Sequence, residues 1–542
     1  MKKYQLLLIA CLSGMLLALA WPTRGLTGLA FIAWIPLLWV EDHIAKDRSG
    51  RFSKMAGGLY SFIPFLIFNF LTTYWILNIS ALMVVGYILE ATVMALAFQL
   101  FHILKQRFDN KKSTYLFLIF VWMSYEYLQL HWELSFPWLN MGNVFSTTPK
   151  WIQWYEYTGS FGGTLWVMAA NISGLWLFQA IKARKKTQKK GAVYRYMVSF
   201  ALIIALPLFI SHLVGKNYDI ECDRHADIIA IQPNLDPVNE QFRHPPEMVT
   251  LQMVKQAAPL VDEHTRFILS PESSIQETPW EDELETSYCL HILHSYIQRY
   301  PQVEWLAGLS SRKRVSADSR SEAKRKYGNS DTLFYEYCNT ALLVDRTQSY
   351  PLIHKMKLTP FVEKMPYSSL FKPLENLALD LGGIVGSLGV DSERKAIHSA
   401  SQNFNILPII CYESIYGEFV ANAVAKGADF IFIITNDGWW GNTQGYRQHC
   451  SYANLRAIET RRCIARSANT GISCFIDPKG NATQETVYWT PDAIKASLPV
   501  QTKITFYAEQ GDYLAKIAVV LTLAALAFYA IQSLTKRIKK HL

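Results

Sequence analysis

The chain has 542 residues, of which 50% are apolar and 18% charged, and it carries a formal charge of +9. That length exceeds one ordinary domain, and the charges are clustered rather than spread, which excludes a single evenly solvated globule. The basic excess sits in short loops beside apolar runs, so it reports on membrane topology and anionic lipid and excludes nucleic acid as the partner.

Apolar runs lie at about 5–21, 26–40, 56–78, 83–104, 114–132, 160–181 and 197–214, and an eighth follows at about 513–534. Each is close to the ~20 residues that cross ~30 Å of hydrocarbon as a helix. One such run can equally be a buried core helix; eight together predict a polytopic membrane bundle. Lys and Arg near span ends stay on the cytoplasmic side. Lys2 and Lys3 therefore place the N-terminus inside. Basic groups follow the second span (Lys46, Arg48, Arg51, Lys54), the fourth (Lys105, Arg107, Lys111, Lys112), the sixth (Lys182 to Lys190) and the eighth (Lys536, Arg537, Lys539, Lys540). The intervening loops are almost free of positive charge, which puts both termini inside and residues from about 215 to 512 outside. The first run, with Lys2, Lys3 and Ala18-Leu19-Ala20, also has the layout of a cleavable signal. Its removal would break the alternation, so it is read as a span.

From Ala226 the pattern changes to short β-rich runs between helical stretches, the layout of an α/β domain. The expected strands are Ala226–Ile231, Arg266–Leu269, Val303–Ala307, Thr340–Val344, Ile406–Ile410 and Phe430–Ile434; Gln448–Ala465 reads as a helix and Arg312–Lys326 as a solvated loop. The division expected is 1–214 (seven spans), 215–511 (the outer domain) and 512–542 (a last span and a basic tail). Seven of the eight cysteines fall in the outer domain, an odd number that leaves at least one free thiol or an intermolecular pair. None has Cys-x-x-Cys spacing, so no zinc site is expected.

Cys411 follows an apolar strand and precedes Tyr412-Glu413-Ser414, a strand end where a turn exposes a nucleophile. Glu272, in Ser270-Pro271-Glu272-Ser273, also lies just past a strand, where Pro271 blocks further pairing and a carboxylate can act as general base. Lys355 and Lys357 point to the same side of an extended segment, so periodicity leaves the choice between them open.

These segments resemble the carbon–nitrogen hydrolase (nitrilase) superfamily, whose triad is Glu, Lys and Cys in that chain order. Lys355-Met356-Lys357-Leu358 resembles its Lys-x-His-Leu segment, with Lys357 where the family has His, and this selects Lys355. Ile410-Cys411-Tyr412-Glu413, Asn436 to Gly441 and Arg466 to Gly471 match further segments. Joined to seven preceding spans and one following, the domain resembles the membrane branch of that superfamily, the apolipoprotein N-acyltransferases. Phe136 to Leu139, Gln232-Pro233-Asn234, Pro360 to Glu363 and Gln448-His449 fit that branch, while Phe242 stands in a loop where many members carry Trp.

The resemblance implies an αββα sandwich beside the eight-helix bundle, and a ping-pong acyl transfer through a Cys411 thioester. Glu272 would be the base, and Lys355 would stabilise thiolate and oxyanion with the Tyr412 amide as a second donor. Glu363 and Glu413 are expected to support the site. Trp138, Phe361, Trp439 and Trp440 are candidates for substrate binding, with core packing or an interfacial aromatic belt as the plainer reading. The implied partners are a phospholipid acyl donor, a diacylated apolipoprotein acceptor and membrane lipid, with the chain acting as a monomer in the inner membrane and its catalytic domain in the periplasm. No metal or organic cofactor is implied. A membrane-anchored nitrilase-type amidase would use the same triad. A transporter or receptor with an outer domain would call for more ionisable residues in the spans than Glu90 and Glu126.

Overall fold

A computed structural model describes residues 2–46, 51–79, 83–108, 112–187, 190–220, 222–368, 386–399 and 401–541. Arg48, Lys111 and Lys189 of the expected cytoplasmic loops lie outside the described residues. The chain forms two compact units: Met1–Leu77 with Ala81–Asn217 and Asp512–Leu542, and Asn78–Ser80 with Tyr218–Gly511.

The first unit is helical. Its helices are α1 (Lys3–Ala20), α2 (Ile35–Ile44), α3 (Arg51–Thr73), α4 (Met83–Arg107), α5 (Leu116–His131), α6 (Tyr155–Thr187) and α7 (Lys190–Asn217), with a final helix over Tyr513–His541. Among the described residues six helices are long and apolar enough to cross a membrane. The expected second and fifth spans differ from the rest. The 26–40 run is split into a 3₁₀ turn over Thr27–Phe31 and the ten-residue α2, which starts at a proline turn. Asn171 of α6 fills the break, accepting from the Trp34 amide (2.8 Å) and donating to the Ala30 carbonyl (2.7 Å). The fifth helix has 16 residues, about 24 Å of rise. Where α1 meets α3, a Cβ on Gly14 would lie 2.2 Å from the Pro64 carbonyl oxygen, so that contact admits only glycine.

The second unit is built on two sheets. Strands β1 (His225–Gln232), β2 (Thr265–Leu269), β3 (Glu304–Val315), β4 (Arg325–Lys326), β5 (Phe334–Val344) and β6 (Leu352–His354) belong to the first, with β13 (Asp492–Pro499). Its order is β13-β1-β2-β3-β5-β4, and β6 also pairs with β5. The second sheet runs β12-β11-β10-β9-β8-β7, where β7 is Ile397–Ser399, β8 Phe404–Ile410, β9 Phe430–Thr435, β10 Cys463–Ala468, β11 Cys474–Ile476 and β12 Ala482–Thr483.

Continuous apolar strands imply burial on both faces. Ile228, Ala230, Phe267 and Leu306 meet Ile406, Phe430, Phe432 and Ala465 between the sheets. The alternate residues Ile229, Ile231, Ile268 and Trp305 pack on Met253, Leu290 and Leu293 of one helical layer. Leu407, Ile409, Ile431 and Ile464 pack on Val420, Ala453 and Ala457 of another, which completes the αββα sandwich.

Two sequence expectations are corrected here. The helix read as Gln448–Ala465 spans Gln444–Thr460, because Arg461 turns left-handed (φ 51°) and β10 begins at Cys463. The stretch read as a loop from Arg312 begins as β3, whose last residues pair with Phe334 to Tyr337 of β5, and Arg325–Lys326 form β4.

Candidate active site

Glu272, Lys355 and Cys411 reach the site from the ends of three strands. Glu272 stands in the turn that follows β2, under which β3 passes so closely that a Cβ on Gly308 would lie 2.7 Å from the Glu272 Cα. Lys355 follows β6 directly, with its amide bonded to the Asn339 carbonyl (2.8 Å). Cys411 opens the 3₁₀ turn after β8 and is held at φ 51°, a left-handed conformation that turns its thiol away from the strand direction.

The Lys355 ammonium is buried and bonds to Glu272 Oε1 (3.0 Å) and Glu363 Oε1 (2.9 Å). Asn339 bridges the same two oxygens, donating from Nδ2 at 2.7 and 3.0 Å. The remaining oxygens take main-chain donors: the Asn436 amide reaches Glu272 Oε2 (3.1 Å) and the Thr359 amide Glu363 Oε2 (2.9 Å). Every carboxylate oxygen at the centre therefore has a fixed partner, which is how buried charge becomes tolerable. Burial alone would pull the Lys355 ammonium toward neutrality, but Glu272 and Glu363 outweigh it and hold its pKa well above the ordinary lysine value. The same ammonium, with the Thr359 and Asn339 bonds, lowers the Glu363 carboxyl against its own desolvation.

Cys411 goes the other way. Burial and then the Glu272 charge raise its thiol far above the ordinary range, and Lys355 recovers only part of that. The raised value favours the protonated thiol at Cys411, so any reaction through its sulfur would require a proton acceptor.

Glu363 touches Lys355, whereas Glu413 acts through the backbone. Glu413 Oε1 accepts from the Met356 amide (2.6 Å) and from Arg394, and Oε2 from the Ile410 amide (2.9 Å), so one carboxylate ties the segment carrying Lys355 to the turn carrying Cys411. His354, next to Lys355, lies between Asp391 (Nδ1, 2.6 Å) and Glu281 (Nε2, 2.8 Å). Lys357, the alternative in the sequence, has its ammonium over the Tyr416 ring (5.0 Å from the centroid), away from the two carboxylates that hold Lys355.

The aromatic candidates separate. Trp440 is buried edge-on against His449 (5.3 Å), Trp439 is half-buried, and Phe361 is a half-buried residue at φ 62°. Trp138 belongs to the helical unit, where it packs on Trp75 (4.8 Å) and Phe136 (6.4 Å). Phe242 is half-buried, with its amide bonded to Gln276 (3.0 Å).

Sequence reasoning missed Asn339, Arg394 and His354. Only His354, adjacent to Lys355, had a signal in the sequence; Asn339 lies inside β5 and Arg394 just before β7, with no selected position beside either. Among the described residues two trios have donor atoms near enough to hold a metal ion, Glu281/Cys338/His354 and Cys411/Asp437/His449. In each, protein partners already occupy both histidine nitrogens.

The family model for the apolipoprotein N-acyltransferase N-terminal domain matches residues 13–173, and that for carbon-nitrogen hydrolase matches residues 248–505. Among solved structures, an amidase from Nesterenkonia sp. is 14% identical and covers 55% of this chain and 97% of its own, with a TM-score of 0.37. Apolipoprotein N-acyltransferase from Geobacter metallireducens is 26% identical over 534 residues, covering 96% of this chain and 95% of that protein. The Chlorobaculum tepidum protein of the same name is 30% identical over 515 residues, 92% of either chain. Similarity at that level, sustained through both units, makes this chain a member of the apolipoprotein N-acyltransferase family.

Proposed function

We propose that the chain is an acyltransferase that moves an acyl group from a phospholipid to the free α-amino group of the diacylglyceryl-cysteine at the start of an apolipoprotein, the last step of lipoprotein maturation. It works as a monomer in the bacterial inner membrane, with residues from about 215 to 511 on the periplasmic side. The observation that carries the reading is the Lys355 ammonium, bonded at once to Glu272 and Glu363 and close to a half-buried Cys411 whose thiol pKa is raised.

In the first half-reaction Glu272 takes the thiol proton as Cys411 sulfur attacks the ester carbonyl. The negative charge that develops on the carbonyl oxygen is met by Lys355 and the Tyr412 amide, a contribution often worth ~3–4 kcal/mol per donor. The ester C–O bond then breaks, Glu272 returns its proton to the departing alkoxide, and lysophospholipid leaves. In the second half-reaction the acceptor amine attacks the thioester and gives its proton to Glu272. The C–S bond breaks, the amide forms, and the thiol is restored by the same proton. Trp439 and Phe361 supply apolar surface for the acyl chain, and Trp138, buried against Trp75, serves the packing of its own unit.

Incubation with phospholipid carrying a labelled acyl chain, without acceptor, is expected to leave a hydroxylamine-labile adduct on Cys411. A diacylated lipopeptide then removes it as an amide. Label on another cysteine, or label released only as free fatty acid, would overturn the reading, the second result in favour of a membrane-anchored amidase. Reporter fusions should place 215–511 outside the cytoplasm and the Lys182–Arg195 loop inside.

A further inference from the structure

Behind the nucleophile lies a buried polar group that the mechanism above does not use. His449, in the Gln444–Thr460 helix, directs Nε2 at the Cys411 carbonyl oxygen (3.1 Å) and Nδ1 at Asp437 Oδ1 (2.9 Å). Arg466 holds the other oxygen of Asp437 (2.5 Å), and Trp440 packs edge-on against the imidazole ring. Ser414 donates to the same Cys411 carbonyl (2.8 Å). His449, Asp437 and Arg466 are fully buried, so all are committed to these contacts rather than to solvent.

A trans peptide is planar, with its C=O and N–H pointing in opposite directions. Whatever holds the carbonyl of the Cys411–Tyr412 peptide therefore aims the Tyr412 N–H. The amides of a first helical turn already point away from that helix's carbonyls, toward the position where an anion is stabilised. We infer that His449, braced by Asp437 and Arg466 and assisted by Ser414, is a positioning residue that sets the oxyanion donor of this enzyme by gripping the Cys411 carbonyl. The inference rests on Cys411 being the nucleophile of the reaction proposed above.

Two reactions of the same thiol separate this role from simple support of the fold. Alkylation by iodoacetamide is a displacement at saturated carbon and forms no oxyanion, whereas acylation by phospholipid does. In full-length, detergent-solubilised protein, His449→Leu is expected to lower the acylation rate of Cys411 roughly 10- to 100-fold, with alkylation changed less than about threefold. His449→Gln retains an N–H for the carbonyl and is expected to recover much of the loss. Ser414→Ala, which removes the second donor, is expected to lower acylation severalfold, and it decides the matter alone if His449→Leu does not fold. Acylation at the wild-type rate in the folded variants, or alkylation falling in step with acylation, would overturn the inference. A wild type that carries no acyl group on Cys411 would instead remove the reading on which the inference stands.

Discussion

In the helical unit, buried Glu126 is met by three neutral donors: the Trp122 indole (3.0 Å), the Met141 amide (2.7 Å) and the Thr164 hydroxyl (2.6 Å). In the sheet unit, Glu272 and Glu363 share a single cation, Lys355, and a single side-chain amide, Asn339. Both arrangements satisfy a buried carboxylate, with different consequences. Neutral donors from three elements pin a loop, here the 3₁₀ turn over Met141–Phe145, to α5 and α6. A shared cation fixes the electrostatics of the candidate active site and leaves it vulnerable, because removing one partner strands two charges.

The sharpest way to break the comparison is Lys355→Met. Acyl transfer is expected to fall about a thousandfold or more, and stability by ~3–5 kcal/mol, the usual result of breaking a buried ion pair from one side. Adding Glu363→Gln should restore much of the stability and none of the activity. Thermal unfolding and turnover, measured together on both variants, check this. Recovery of activity would mean that Lys355 serves only the fold.

Glu413→Ala comes next. It orphans the Met356 and Ile410 amides together with Arg394. At about 1–3 kcal/mol for each buried unsatisfied group, the variant should lose stability and turnover together. Glu413→Gln, which keeps an acceptor, should fall between; denaturant unfolding alongside the transfer assay measures both.

A pH effect follows from His354. Burial works against its charge, but Asp391 and Glu281 raise its pKa to about 9. Because the folded value lies above the ordinary histidine value of 6.5, the stabilisation is complete below about pH 6.5 and is lost as pH rises through about 9. The loss is at most about 3 kcal/mol. Melting temperatures across that window should decline in the wild type and decline less in His354→Gln. Identical slopes would exclude His354 as the titrating group.

The smallest effect belongs to Glu126→Gln. The amide oxygen still accepts from Trp122 and Met141, and Thr164 can turn its hydroxyl to accept, so less than about 1 kcal/mol is expected. Glu126→Leu, which leaves all three donors unmet, should cost several times more. Equal melting temperatures for the two variants would show that the pinning is unimportant.

Of the candidate triad, Glu272 and Cys411 were legible because each stands just past a β-rich run, where hydrophobic patterning stops; Lys355 was separated from Lys357 only by the resemblance to the Lys-x-His-Leu segment. The two apolar layers around the sheets were legible for the related reason that Ile228 to Ile231 and Phe430 to Ile434 have no solvent-facing alternation. The outer half of β3 was hidden by its composition: Arg312, Lys313 and Arg314 read as solvated, yet the hairpin with β5 supplies their backbone partners through distant Tyr335 to Tyr337. Asn339 was hidden differently, and Glu413, expected on the resemblance alone, showed no partner in its local sequence. Their importance lies in joining segments far apart in sequence, Asn339 to Glu272 and Glu413 to Met356, and no local pattern encodes such a bond. The break in the second apolar run was hidden because composition is silent on the 3₁₀ turn that Asn171 secures.

Cys411 is a non-glycine residue in left-handed backbone, at φ 51°. An L-residue there gives up roughly 1–2 kcal/mol relative to right-handed geometry, a penalty that glycine escapes. Replacing alanine by glycine in regular structure usually weakens a protein by ~0.5–1 kcal/mol, but at this position the order should reverse, with Cys411→Gly melting above Cys411→Ala. Under the function proposed above, heat resistance and catalysis are thus opposed at a single torsion angle. A library randomised at position 411 and screened for thermal survival alone is expected to return glycine, which suits the turn best and has no side chain with which to carry the proposed acyl group.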